Sequence, residues 1–132
     1  MNRKSLLVML VLICSTVFAF SQTLKITDVD ADDQRLYDSA TKRYLGKKMI
    51  IEEFDKSVRI TVGNEKPLIM KRDERNHAEY SARYKETEHE ITHVRLTVDK
   101  TLGVTTAAIF TLTISEKQGY QHASYVVTAK RF

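Results

Sequence analysis

The segment that decides the fold is residues 92–114, THVRLTVDKTLGVTTAAIFTLTI. Apolar residues occupy every second position in two parts of it, first Val94, Leu96 and Val98, and then Ala108, Phe110, Leu112 and Ile114. Successive side chains of a β-strand point to opposite faces, so this alternation predicts two half-buried strands. The threonines and valines between and within these runs fit a pleated surface and disfavour a helix.

The same alternation recurs along most of the chain. Residues 57–62 and 121–131 each place apolar side chains on one face, and shorter strand candidates lie at residues 24–30, 48–54 and 67–70. Asp55 and Lys56 separate two of these runs, which is typical of a β-hairpin. The pattern therefore predicts an all-β domain, a small antiparallel β-barrel or sandwich of about seven to eight strands.

Two segments fit this pattern less well. Residues 77–85 alternate as a strand would, but Glu79 and Arg83 also have the i,i+4 spacing of a helical pair. We favour the strand. Residues 30–43 are polar and turn-like, and we expect at most a helical turn around Leu36 and Tyr37.

Residues 1–21 have the layout of a secretory signal peptide. Arg3 and Lys4 give a positive start, residues 6–20 form an apolar run, and Ala19 and Ser21 supply small residues for cleavage. We expect cleavage near Ser21-Gln22, a single domain over residues 22–132, and export to the periplasm of a Gram-negative bacterium. We expect no stable membrane span in the mature form, because the apolar run is shorter than the ~20 residues of a spanning helix.

Composition excludes several classes of function for the mature chain. Cys14 is the only cysteine and leaves with the signal peptide, so cysteine nucleophiles and cysteine-bound zinc are excluded. Lys and Arg total 21 against 17 Asp and Glu, and the removal of Arg3 and Lys4 leaves 19 against 17. Such a balanced charge gives no reason to expect nucleic acid as a partner.

The chain resembles the small exported lipocalin-like (calycin) β-barrels. The resemblance covers residues 44–132 and consists of Tyr44-Leu45-Gly46 leading into the strand at residues 48–54 and then a hairpin. The Gly-x-Trp signature typical of lipocalins is missing, since the chain has no tryptophan. The resemblance implies a closed barrel with an interior that holds a small apolar ligand, although a shared fold does not fix a function.

His89-Glu90-Ile91-Thr92-His93 matches the H-E-x-x-H motif of zinc proteases. On a helix the two histidines share a face and could bind one zinc ion, with Glu90 activating its water and Asp99 as third ligand. On a strand they lie about 13 Å apart, which one zinc ion cannot bridge. A zinc-dependent hydrolase is therefore the alternative hypothesis, and its test is the conformation of this segment.

We predict a non-enzymatic domain that binds a small apolar ligand or a partner protein of the envelope, without a cofactor. Tyrosines combine an apolar ring with a polar tip, as binding pockets favour. The predicted ligand-binding residues are Tyr80, Tyr84, Phe110 and Tyr125. A partner protein would dock on an exposed strand edge near Pro67.

Overall fold

The computed structural model describes residues 20–117 and 121–132, so most of the expected signal peptide lies outside the described residues. The described part of the chain forms eight strands and one helix. In chain order these are β1 (Phe20–Ala31), α1 (Gln34–Tyr44), β2 (Lys48–Glu53), β3 (Ser57–Val62), β4 (Leu68–Arg72), β5 (Glu79–Glu86), β6 (Glu90–Thr101), β7 (Val104–Glu116) and β8 (Gln121–Lys130).

The strands form a closed antiparallel barrel. Each strand pairs with the next along the chain, and β8 pairs with β1 to close the sheet. The all-β prediction is confirmed, and of its two alternatives the structure has the barrel. An eight-stranded barrel of this kind is consistent with the calycin-like fold that the sequence resembles. The ambiguous segment at residues 77–85 is mostly strand β5, as favoured.

The core lies inside the barrel and consists of the apolar residues that alternate along the strands. Val58, Ile60, Val94, Leu96, Val98, Ala108, Phe110 and Val127 are all nearly or fully buried, as the alternation predicted. Polar residues between them face outward, such as Arg59 and Arg95. No helix in the described ranges is long and apolar enough to cross a membrane.

The prediction for residues 30–43 was wrong, because the structure has an 11-residue helix there. Asp33 caps its first turn, since its carboxylate accepts a hydrogen bond from the Leu36 amide at 2.7 Å. Ala40 and Tyr44 are buried against the barrel, and Leu36 packs beside them. This spacing of four residues places the three side chains on one face of the helix.

The barrel has two ends of different construction. We call the end with α1 and the turn at residues 63–67 the mouth. We call the opposite end, with the turns at residues 54–56, 73–78 and 102–103, the base. The helix lies between β1 and β2, so it packs against the mouth.

The ladder between β4 and β5 is the shortest in the barrel. These strands pair at two positions only, Lys71 with Ser81 and Arg72 with Tyr80. By contrast, β6 and β7 pair at twelve positions. The strand near Pro67, expected to offer an exposed edge, is β4, and it pairs with β3 on one side and β5 on the other. Docking of a partner protein there stays a prediction.

Candidate functional site

A cavity of about 500 Å³ lies at the mouth of the barrel. Its walls come from α1, from the mouth ends of β3 and β4 with the turn between them, and from β5, β6, β7 and β8. Most of the wall is apolar, and the main apolar residues are Leu36, Val62, Leu68, Phe110, Leu112 and Ile114. Polar and charged groups on the same wall include Arg43, Tyr44, Glu65, Lys66, Tyr84 and Tyr125.

Three of the four predicted ligand-binding residues line this cavity. Phe110 and Tyr125 lie on the inward faces of β7 and β8, and Tyr84 lies at a bulge of β5 and is 43% exposed. Tyr80 is fully buried and does not line the cavity. Whether the three residues bind a ligand stays a prediction.

A pair of tyrosines forms the buried polar part of the wall. The Tyr44 and Tyr125 hydroxyls are hydrogen-bonded at 3.0 Å, and their ring centroids are 5.6 Å apart. The Tyr44 hydroxyl also donates to Glu65 Oε1 at 3.5 Å. Burial, and then the hydrogen bond to Tyr44, raises the pKa of the Tyr125 phenol well above its usual value. The Tyr125 hydroxyl is therefore neutral over the physiological range.

Charged groups stand at the rim of the cavity. The Arg43 guanidinium lies 3.4 Å from Glu65 Oε1 and 5.8 Å from the centroid of the Tyr44 ring. Both side chains of the ion pair are about half exposed, so the pair adds little to stability. Lys66 is exposed on the same wall, and no ion pair within the described residues includes it. Among the described residues that line the cavity, two therefore carry a positive charge and one carries a negative charge.

These rim residues were not predicted. Arg43 lies on the helix that the sequence analysis took for a turn, and Glu65 and Lys66 lie in the turn between two short strands. A signal for the helix was present in Asp33 followed by apolar residues at the helical spacing of 36, 40 and 44. We find no comparable sequence signal for the turn residues.

The base of the barrel contains a buried polar network centred on Glu53. This carboxylate is 8% exposed and accepts hydrogen bonds from the Tyr80 hydroxyl at 3.1 Å and the Thr105 hydroxyl at 3.3 Å. Lys100 Nζ lies 3.0 Å from Glu53 Oε1, and Arg72 Nη2 donates to the Tyr80 hydroxyl at 2.8 Å. The network joins side chains of β2, β4, β5, β6 and β7. It therefore ties together five strands at the end opposite the cavity.

The histidines of the H-E-x-x-H match do not form a zinc site. His93 is in strand β6 and pairs with Thr113, while His89 precedes the strand and its carbonyl accepts from the Lys117 amide at 3.0 Å. The helix that a zinc protease requires is absent from this segment. Asp99 lies further along the same strand, about 20 Å from His93 at ~3.3 Å per residue. No group of three or more His, Cys, Asp or Glu side chains in the described ranges is placed to hold a metal ion.

Comparisons of the chain with protein-family models, with curated proteins and with solved structures find no match. The function is therefore inferred from the cavity itself. Its volume, its apolar wall and its few convergent polar groups are what small-molecule sites have in common.

Proposed function

We propose that the protein is a non-enzymatic binding protein that holds a small, mostly apolar ligand in the mouth cavity. The observation that carries the proposal is the cavity of about 500 Å³ at one end of an otherwise filled barrel. Small-molecule pockets generally measure ~300–1,000 Å³ and combine apolar walls with a few polar groups. Entry of an apolar ligand would remove the apolar part of this wall from water, which favours binding.

The proposed ligand contacts can be separated from the rest of the barrel by two variants on one strand. Leu112 is on the inward face of β7 and lines the cavity, whereas Ile109 is on the outward face and is 43% exposed. Leu112→Trp places a large ring in the cavity. Ile109→Trp introduces the same ring on the outer surface and serves as the matched control.

The experiment is a titration of each protein with a neutral apolar fluorophore, N-phenyl-1-naphthylamine. The wild type and Ile109→Trp should bind one equivalent and enhance its fluorescence, and Leu112→Trp should lose most of this binding. Thermal unfolding followed by circular dichroism establishes that the variants are folded. The proposal is wrong if the wild type binds no probe, or if folded Leu112→Trp binds it as tightly as the wild type.

The proposal places this activity in the periplasm. Its support is the signal-peptide layout of residues 1–21. Cleavage after Ser21 removes two paired residues of β1 and keeps the pairs from Gln22 with Ile51 to Lys25 with Lys48. The buried residues Leu24 and Ile26 stay in the mature chain. Cell fractionation and N-terminal sequencing test it, and an uncut cytoplasmic protein would contradict it.

A further inference from the structure

Three lysines form a row across the outer wall of the barrel, which we call the lysine row. Lys25 in β1 is paired directly with Lys48 in β2 on one side and with Lys130 in β8 on the other. Their neighbours along the strands, such as Leu24 and Met49, are fully buried, so the lysines point outward, and all three are exposed. Directly opposed residues have Cβ atoms roughly 5 Å apart, so three positive charges follow one another across three adjacent strands.

The lysine row is unfavourable for the fold, because like charges directly opposite each other repel. No ion pair among the described residues includes a lysine of the row. The next acidic residue along β1 is Asp28, which lies beyond a β-bulge and accepts a hydrogen bond from the Thr27 hydroxyl at 2.8 Å. On the outer face of β2, Glu52 forms an ion pair with Arg59. The barrel therefore does not neutralise the charge of the row.

Two further residues extend the row at its β8 end. Arg131 and Phe132 follow Lys130 directly, and both are exposed, Phe132 to 74%. The outer wall of β8, β1 and β2 thus carries four exposed cations with an exposed aromatic ring at their edge. Basic side chains beside an exposed aromatic residue are typical of protein surfaces that lie at a lipid–water interface.

We propose that the outer wall of β8, β1 and β2 docks on the anionic surface of a phospholipid membrane. None of the three lysines lines the mouth cavity, so this inference does not rest on the proposed function. A lysine ammonium is a compact, strongly hydrated point charge, so a layer of phosphate headgroups attracts it without a directional contact. Four clustered basic residues are enough for recognition of an anionic lipid surface.

The residues around the row favour a membrane over a protein partner. Lysine is depleted at protein–protein interfaces, whose centres are apolar and aromatic. The outward positions next to the row include Thr23 on β1 and Thr128 on β8, which offer no apolar centre. The shape of the wall also disfavours a small anion, because small-molecule sites are concave and the outside of a closed barrel is convex.

The test is sedimentation of the purified exported protein with two kinds of vesicle. One kind contains phosphatidylglycerol and phosphatidylcholine in equal parts, and the other contains phosphatidylcholine alone. The protein should bind the anionic vesicles at low ionic strength and not the neutral ones. Added salt should release it, because the attraction is between exposed charges and is screened.

A matched pair of triple variants tests the position of the charges. The row variant combines Lys25→Gln, Lys48→Gln and Lys130→Gln, and its affinity for anionic vesicles should fall about a hundredfold, at about fivefold for each lysine. The control variant removes the same charge from three exposed lysines elsewhere, Lys42→Gln, Lys56→Gln and Lys71→Gln. Its affinity should fall by about fivefold or less, since only the long-range attraction is reduced.

Urea denaturation of the same proteins gives a second measurement that does not depend on vesicles. The row variant should have a higher urea midpoint than the wild type at low ionic strength, because the opposed charges are gone. A lower midpoint would show that the lysines serve the fold and would overturn the inference. Equal loss of affinity in both triple variants, or equal binding to neutral vesicles, would also overturn it. Binding to soluble polyglutamate but not to vesicles would assign the row to an acidic protein and contradict the membrane proposal.

Discussion

The mouth and the base of this barrel contain the same residue types in different surroundings. Each end has a buried tyrosine, a glutamate and nearby cations. At the base, Glu53 is buried and accepts from Tyr80 and Thr105 beside Lys100, so the polar groups satisfy one another. At the mouth, Glu65 is about half exposed and stands beside an open cavity. Burial of the glutamate, and not residue type, therefore distinguishes the base from the mouth, where we propose that a ligand binds.

The largest expected effect comes from removing the carboxylate at the base. Glu53→Ala leaves the Tyr80 and Thr105 hydroxyls without their acceptor in a buried site and should lower the free energy of unfolding by about 2–3 kcal/mol. Glu65→Ala at the mouth should cost less than about 1 kcal/mol, because that pair is exposed. Urea denaturation followed by circular dichroism measures both. Equal losses at the two ends would contradict the distinction between them.

High pH should destabilise both ends through their tyrosines. Burial raises the pKa of Tyr80, although the hydrogen bond from Arg72 opposes the shift, and burial also raises the pKa of Tyr125. The unfolded chain releases these protons near pH 10, earlier than the native state. The stabilisation is therefore fully present below about pH 10 and is lost as the pH rises further, by about 1.4 kcal/mol per pH unit for each tyrosine.

Tyr125→Phe isolates the contribution of the mouth to this alkaline loss. The variant should lose stability less steeply than the wild type between pH 10 and pH 11, because one of the two shifted phenols is gone. Tyr37→Phe is the control, since Tyr37 is exposed on the helix. Urea midpoints at pH 9, 10 and 11 give the slopes. The same slope in Tyr125→Phe and the wild type would show that Tyr125 does not keep its proton in the folded state.

Much of the barrel was readable from local sequence, because a strand repeats its environment every two residues. Val94, Leu96 and Val98 are buried for that reason, and so are Ala108 and Phe110. The burial of Glu53 could not be predicted from the sequence. It depends on Tyr80 and Thr105, which are 27 and 52 residues away along the chain. Glu53 shares the buried face of β2 with Met49 and Ile51, but the other face also carries an isoleucine and a glutamate, so the pattern does not show which face is inward.

The cavity was only partly readable for the same reason. Phe110 and Tyr125 belong to alternating strands, so their inward direction followed from the pattern, whereas Tyr84 lies at a bulge that breaks the alternation of β5. One rim residue, Arg43, lies on the helix. The helix was not predicted because its composition is mostly polar and only three of its side chains pack against the barrel. Its position over the mouth is set by tertiary packing, which the sequence pattern of the helix alone does not specify.

The turns at the two ends should both lose stability when their glycine gains a side chain. Gly63 at the mouth has a φ of +59°, and a Cβ added there would lie 3.4 Å from the Tyr44 ring, an ordinary contact distance. Gly63→Ala should therefore cost about 1–2 kcal/mol from the left-handed conformation and leave fluorophore binding unchanged. Gly103→Ala at the base should cost about the same, since its φ is +79° and a Cβ there meets nothing. Thermal unfolding measures both, and a much larger loss in Gly63→Ala would contradict an ordinary contact with the Tyr44 ring.

The smallest expected effect is a gain at the base. Leu102 has a φ of +52° and is 100% exposed at the tip of the hairpin between β6 and β7, next to Gly103 with a φ of +79°. Two-residue hairpin turns of this kind favour Asn-Gly, because both residues have positive φ and asparagine tolerates it better than leucine. Leu102→Asn should raise the free energy of unfolding by about 0.5–1 kcal/mol, since leucine in this conformation is strained and makes no buried contact.

Leu102→Ala separates the two causes. It keeps most of the backbone strain while removing the exposed apolar side chain, so it should leave stability nearly unchanged. Urea denaturation at pH 7 measures the series, and cavity binding should be the same in all three proteins because the turn lies at the opposite end of the barrel. A gain in Leu102→Ala equal to that in Leu102→Asn would assign the effect to the exposed side chain and contradict the strain at the turn.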